Sequence, residues 1–155
     1  MGEGMDELVN KLISLQANAV AMYAQAHGYH WNVEGVLFKP LHAFFLDIYE
    51  DVFSSIDPIS ENIRKLGSYA PFGLSTWNAT FSLPVNESDN LTPVEMLGEL
   101  IRTNSIMIDE LKETFRIANA ADEQGVANFI AGRIDQHQFW NWQLNSTLNL
   151  TVITA

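Results

Sequence analysis

The sequence predicts an all-α protein, a four-helix bundle with one long connection between its second and third helices. Three observations carry this. Apolar residues recur at steps of three and four over four long stretches. Residues 67–91, rich in Gly, Pro, Ser and Asn, separate the second stretch from the third. No segment alternates with the period of two that a half-buried strand requires.

The first helix is expected from about Met5 to Trp31, with Leu8, Leu12, Leu15, Ala19, Met22 and Ala26 on one line and His30 next on it. Gly35 and Pro40 interrupt the pattern. The second is expected from about Lys39 to Leu66 along Leu41, Phe45, Ile48, Val52, Ile56, Ile59, Ile63 and Leu66, with Gly67 as a natural C-cap. Beside that stripe lies another, His42, Leu46, Tyr49, Phe53, Asp57 and Glu61. One neighbour inside a monomer does not bury both, so a partner chain is the natural cover. The long connection leaves room for a short helix around Leu74 to Thr80. Thr92-Pro93-Val94-Glu95 is a capping box with proline at the first helical position, and it opens a third long helix along Val94, Leu97, Ile101, Ile108, Leu111 and Phe115. AADEQG then breaks the pattern, and a fourth is expected from about Asp122 or Glu123 to Leu148 through Val126, Ile130, Ile134, His137, Trp140 or Asn141, and Leu144. Four long helices with one crossover between the second and third is a ferritin-like layout.

At 155 residues the chain is read as a single domain, 1–155, large enough for a core without staples. Cysteine is absent, so any metal must be held by imidazole and carboxylate, which points toward iron, manganese or zinc. The N-terminus has no continuous apolar core of a signal peptide, and no run approaches a membrane span. A cytoplasmic location is therefore expected, and the five N-x-S/T sequons at Asn78, Asn86, Asn90, Asn145 and Asn149 are read as chance. The formal charge of −11, from 8 Lys+Arg against 19 Asp+Glu, argues against a nucleic-acid surface. It serves solubility or the attraction of cations.

The residues that carry chemistry lie between positions 27 and 61. Asp57 and Glu61 are four apart and share a helix face, where two carboxylates can chelate a cation or merely face solvent. Pro58 adds another reading, in which Asp57 caps a helix restarted after a proline break. His30 sits on an apolar line, where a histidine is usually a satisfied core residue, and His27 offers an i,i+3 pairing with it. His137 reads as a buried structural histidine. If one helix runs from His42 onward, Asp57 is about 22 Å further along it, at 1.5 Å per residue. A single chain then cannot close these four residues on one metal.

His30-Trp31-Asn32, followed by Gly35, Phe38, Leu41 and a second histidine at His42, resembles the signature of the Dps family of mini-ferritins. Asp57, Glu61 and the Leu66-Gly67 helix end match the continuation of that pattern. Gly125 and the stretch Arg133-Ile134-Asp135-Gln136-His137 with Trp140 resemble the family's last helix. The resemblance implies a hollow dodecamer of four-helix bundles, with ferroxidase centres at two-fold interfaces where the histidines of one subunit face the carboxylates of the next. On that reading His30, His42, Asp57 and Glu61 are both metal ligands and catalytic residues, and the separation along the second helix is expected. The implied chemistry is oxidation of Fe(II) to Fe(III), preferentially by hydrogen peroxide, with the iron stored as mineral and the cell protected from oxidative stress.

The sequence departs from the family pattern at identifiable positions. The family usually places an Asp four residues after the second histidine, and here that residue is Leu46. Asp47 is turned about 100° away, and Glu50 is a long-armed substitute one turn further on. Asn128 stands near a position where many relatives carry a pore-lining acid, with Asp122 and Glu123 close by. DNA binding in the family relies on basic tails, whereas Lys11 is the only cation near this N-terminus and no Lys or Arg follows Arg133. DNA binding is accordingly not expected. Two functions follow: an iron-oxidising cage, or a cage of the same build that holds metal weakly because Leu46 impairs its centre.

Overall fold

A computed structural model describes residues 2–154, with side chains described through residue 149. It contains α1 (Glu3–Asn32), α2 (Phe38–Lys65), α3 (Leu74–Thr80), α4 (Pro93–Ala120) and α5 (Gln124–Thr154). The long helices pack α1 on α2, α4 on α5 and α1 on α4, and α3 lies against α1. This is the four-helix bundle with a long crossover that the periodicity predicts, the short helix included.

The apolar lines of α1 and α2 account for the core. Leu8, Leu12, Leu15, Ala19, Met22 and Ala26 are buried, as are Leu41, Phe45, Ile48, Val52, Ile59 and Ile63. Each of the larger side chains among these contributes roughly 1.5–3 kcal/mol on leaving water. α4 is turned relative to the expected line, since Met96, Leu100 and Met107 are buried while Val94 lies at the surface and Phe115 is only half-buried. The reason is polar residues inside the bundle. Thr103 and Thr114 are fully buried with their hydroxyls donating to the carbonyls of Glu99 and Glu110 (3.0 and 2.8 Å), and Asn104 is buried against α5.

Helix ends follow local chemistry. Thr92 Oγ1 accepts from the Glu95 amide and the Glu95 carboxylate accepts from the Thr92 amide, both at 3.2 Å, which completes the capping box. At the end of α2 the Gly67 amide donates to Arg64 O (3.0 Å) and the Ser68 amide to Ile63 O (3.3 Å), a Schellman turn that needs the positive φ of 92° at Gly67. The end of α4 uses the same turn with Asp122 at φ 62° in place of glycine.

Two expectations are corrected. Pro58 does not break α2, which runs unbroken from Phe38 to Lys65, so Asp57 is a mid-helix residue rather than a cap. The proline removes the amide that would pair with the carbonyl of Ser54, an exposed residue, so the loss falls where water can compensate. α5 extends to Thr154, beyond the expected end at Leu148, because nothing after Leu148 is a helix breaker.

The crossover is pinned by polar residues of α1. Buried Gln16 donates to Ser60 Oγ (2.7 Å) and Pro71 O (2.9 Å) and accepts from Trp77 Nε1 (3.1 Å). Asn18 pairs with the amide and hydroxyl of Ser82, and the Tyr29 hydroxyl donates to Asn86 O (2.8 Å).

Candidate metal centre

His30 closes α1 and His42 opens α2, and the turn between them folds the two rings together. Their centroids are 3.7 Å apart with planes 15° from parallel. His30 Nδ1 lies 2.6 Å from His42 O, and His42 Nδ1 lies 2.7 Å from His30 O. A carbonyl oxygen only accepts, so each Nδ1 carries a proton and donates it. The nitrogen left for a metal on each ring is then Nε2. His30 O is among the last carbonyls of α1, which have no partner within the helix, so the contact from His42 also caps α1. Among the two expected partners of His30, the structure chooses His42 over His27, whose ring centre is 5.8 Å away.

Aromatic rings hold the pair in place. Phe38 stacks on His42 at 4.8 Å, and Tyr49 meets His30 edge-on at 5.2 Å. His27 lies flat on Tyr49 (3.9 Å, 11°), against Trp31 (4.1 Å), and its Nδ1 is 2.9 Å from the Tyr23 hydroxyl. Burial, together with the proximity of His30, pushes the His27 pKa below its ordinary value.

The other half of the expected ligand set stands apart. Asp57 and Glu61 lie further along unbroken α2, and both are exposed, as are Asp47 and Glu50. Among the described residues no three His, Asp or Glu side chains converge as a metal site. The stripe joining the two halves has a half-buried Leu46 and a Phe53 that is 59% exposed. One chain thus carries a preformed two-imidazole end and a separate two-carboxylate end on one uncovered face.

A model of the ferritin-like domain family matches residues 9–152. Dps from Thermosynechococcus elongatus superposes with a TM-score of 0.89 at 29% identity, covering 92% of this chain and 90% of that one. The chain belongs to the ferritin-like family, on its Dps branch. Dps from Vibrio cholerae, described as a member of a broad superfamily of ferritin-like diiron-carboxylate proteins, aligns at 26% identity and TM-score 0.89, covering 94% of this chain and 91% of its own. Among curated relatives, the DNA protection during starvation protein of Brevibacillus brevis is 26% identical over 131 residues, 84% of this chain and 87% of that protein. Among the described residues of this Dps-type chain, no helix is long and apolar enough to cross a membrane.

The donor chemistry fits a borderline divalent metal such as Fe(II) at the imidazole end and a harder ion at the carboxylate end. Leu46 supplies nothing to either.

A second polar cluster in this Dps-type bundle ties α2, α4 and α5 together, and sequence reading passed over its central acid. Asp51 takes a two-pronged ion pair from Arg133, both contacts 2.9 Å, and a hydrogen bond from Trp140 Nε1 at 2.8 Å. Burial opposes the Asp51 charge, but the Arg133 guanidinium outweighs it and holds the carboxyl below its usual range. His137, 2% exposed, donates from Nδ1 to Asn104 Oδ1 (2.8 Å) and accepts at Nε2 from Arg133 (3.1 Å). Burial, reinforced by the Arg133 charge, pushes its pKa down to about 3. It is the buried structural histidine that its position on α5 suggests. Pattern alone could not reveal that Asp51 and Arg133, 82 positions apart, are partners.

Proposed function

We propose that this Dps-type chain sequesters iron by taking up Fe(II) at centres shared between two copies. His30 and His42 of one subunit would face Asp57 and Glu61 of the partner subunit. Oxidation by hydrogen peroxide follows, two Fe(II) and two protons per peroxide giving two Fe(III) and two waters, with Fe(III) stored inside a hollow cytoplasmic homododecamer. The reciprocal Nδ1 contacts of His30 and His42 are the observation that supports this reading most. They occupy both Nδ1 atoms and leave Nε2 of each ring as the nitrogen a metal would use. The exposed stripe through Phe53 to Glu61 supplies the surface a second copy would cover. The −11 charge favours entry of cations.

In this scheme the imidazoles bind and orient Fe(II), and the carboxylates favour the harder Fe(III) product. Leu46 favours a second reading, a cage that holds metal weakly and oxidises it poorly. Stopped-flow oxidation of Fe(II) by peroxide separates the two. The ferroxidase reading requires the wild type to outpace His42→Ala by about tenfold or more, with assembly and helicity unchanged. Equal rates reject ferroxidase action and leave the weakly binding cage.

A further inference from the structure

We infer that the cleft between α1 and the crossover binds an organic amine, a protonated nitrogen carried on a flat apolar body. The cleft measures about 330 Å³, within the roughly 300–1,000 Å³ range of small-molecule sites. It is separate from the metal centre, since none of His30, His42, Asp57 and Glu61 lines it. One wall is α1 at Ala21, Ala24 and Gly28, and the other is the aromatic pair Trp77 and Phe81, at and just beyond the end of α3. Gly28 keeps this slot open. A Cβ there would meet no described atom within 4 Å, so α1 carries a residue that disfavours helix at a place where a larger one has room.

Around the cleft the donors are spent and an acceptor is left over. The Tyr29 proton goes to Asn86 O (2.8 Å), and Trp77 Nε1 donates to Gln16 Oε1 (3.1 Å). Ser88 gives its amide to Asn86 Oδ1 (3.0 Å) and its hydroxyl to Asn90 Oδ1 (2.7 Å). With its proton used, the Tyr29 oxygen can only accept from Gln25, which fixes the direction of that amide. Gln25 Nε2 donates to Tyr29 at 3.3 Å, and Gln25 Oε1 stays buried with no partner among the described residues. An orphan acceptor of this kind is costly, and a ligand that brings N–H donors satisfies it. The bond to Tyr29 is long, so a small turn of the Gln25 side chain presents Oε1 to the cleft. Among the described residues, Glu87 is the only ionised group in the lining, and its exposed carboxylate matches a positive charge. An anion would find no cation there.

Phenethylamine is the probe, titrated calorimetrically into the wild-type protein in its native oligomeric state. Its uptake should saturate at one per chain. Ethylamine has the charge without the ring and phenethyl alcohol the ring without the charge, and each should bind at least about tenfold more weakly. Gly28→Leu fills the slot without changing the charge, and it should abolish the saturable binding with helicity and assembly intact. Gln25→Leu removes the acceptor and should weaken binding about tenfold. Binding that survives Gly28→Leu, that Gln25→Leu leaves unchanged, or that either analogue equals overturns the inference. So does a native oligomer that takes up no phenethylamine, its cleft filled by a second copy.

Discussion

Arg133 grips both carboxylate oxygens of Asp51 at 2.9 Å, and this side-chain bridge joins α5 to α2 across a side of the bundle where the backbones stay apart. Asp51 also receives Trp140, so removing Arg133 strands a part-buried carboxylate. Arg133→Leu should cost about 2–3 kcal/mol, the low side of the buried-pair range because both side chains retain some solvent. The looser Arg102–Glu99 pair, 3.6 Å apart with Arg102 exposed and Glu99 part-buried, is the comparison, and Arg102→Ala should cost less, about 1 kcal/mol or below. Urea unfolding at fixed protein concentration measures both.

His137 gives a pH dependence of definite sign. Its pKa is about 3 in the folded chain against an ordinary 6.5, so between these values the unfolded chain binds the extra proton. Stability from this group is complete above pH 6.5 and is lost as pH falls toward 3, at up to about 1.4 kcal/mol per unit. His27 is shifted in the same direction. Asp51, with its lowered pKa, adds its own loss only below the ordinary carboxylate value of 3.8. His137→Gln should therefore flatten the stability profile between about pH 4.5 and 6 by close to one proton's slope, while the His27 contribution persists. An unchanged slope would show that His137 is not held neutral.

The crossover should depend on one amide. Gln16→Leu removes the partners of Trp77 Nε1, Ser60 Oγ and Pro71 O together, and stranded polar groups of this kind cost about 1–3 kcal/mol. The loss should be local. Limited proteolysis should cut residues 67–91 about tenfold faster than in the wild type, with the long helices still protected.

Charge opposes DNA binding. With a net charge of −11, the protein lacks the excess of cations that releases counterions from phosphates, so a gel-shift titration should show no retardation at physiological salt. A clear shift would mean that local basic groups outweigh the overall field.

Where burial follows a simple period, the sequence was enough. The cores of α1 and α2, the Thr92–Glu95 cap, the Gly67 end and even the seven residues of α3 were legible because each depends on neighbours in the chain. α4 was legible only in outline, since Thr103, Asn104 and Thr114 take core positions that a hydrophobic pattern reads as surface. Asp51 was missed for the related reason that its partner is distant and its charge, taken alone, looks like a solvated face. At the candidate centre the residue types and spacing were visible, and their match to the Dps pattern picked out His30 with His42. The crossed contacts from each Nδ1 to the other residue's main-chain carbonyl were not. They depend on the angle at which α1 gives way to α2, which no spacing records.

The crossed contacts also bear on substitution. Each Nδ1 is held by the main chain at the other position and not by its ring, so replacing one histidine leaves in place the carbonyl that orients its neighbour. What is lost is that residue's own Nε2 and the ring stacked on its partner. The two positions are therefore separable, and each supplies its nitrogen on its own account.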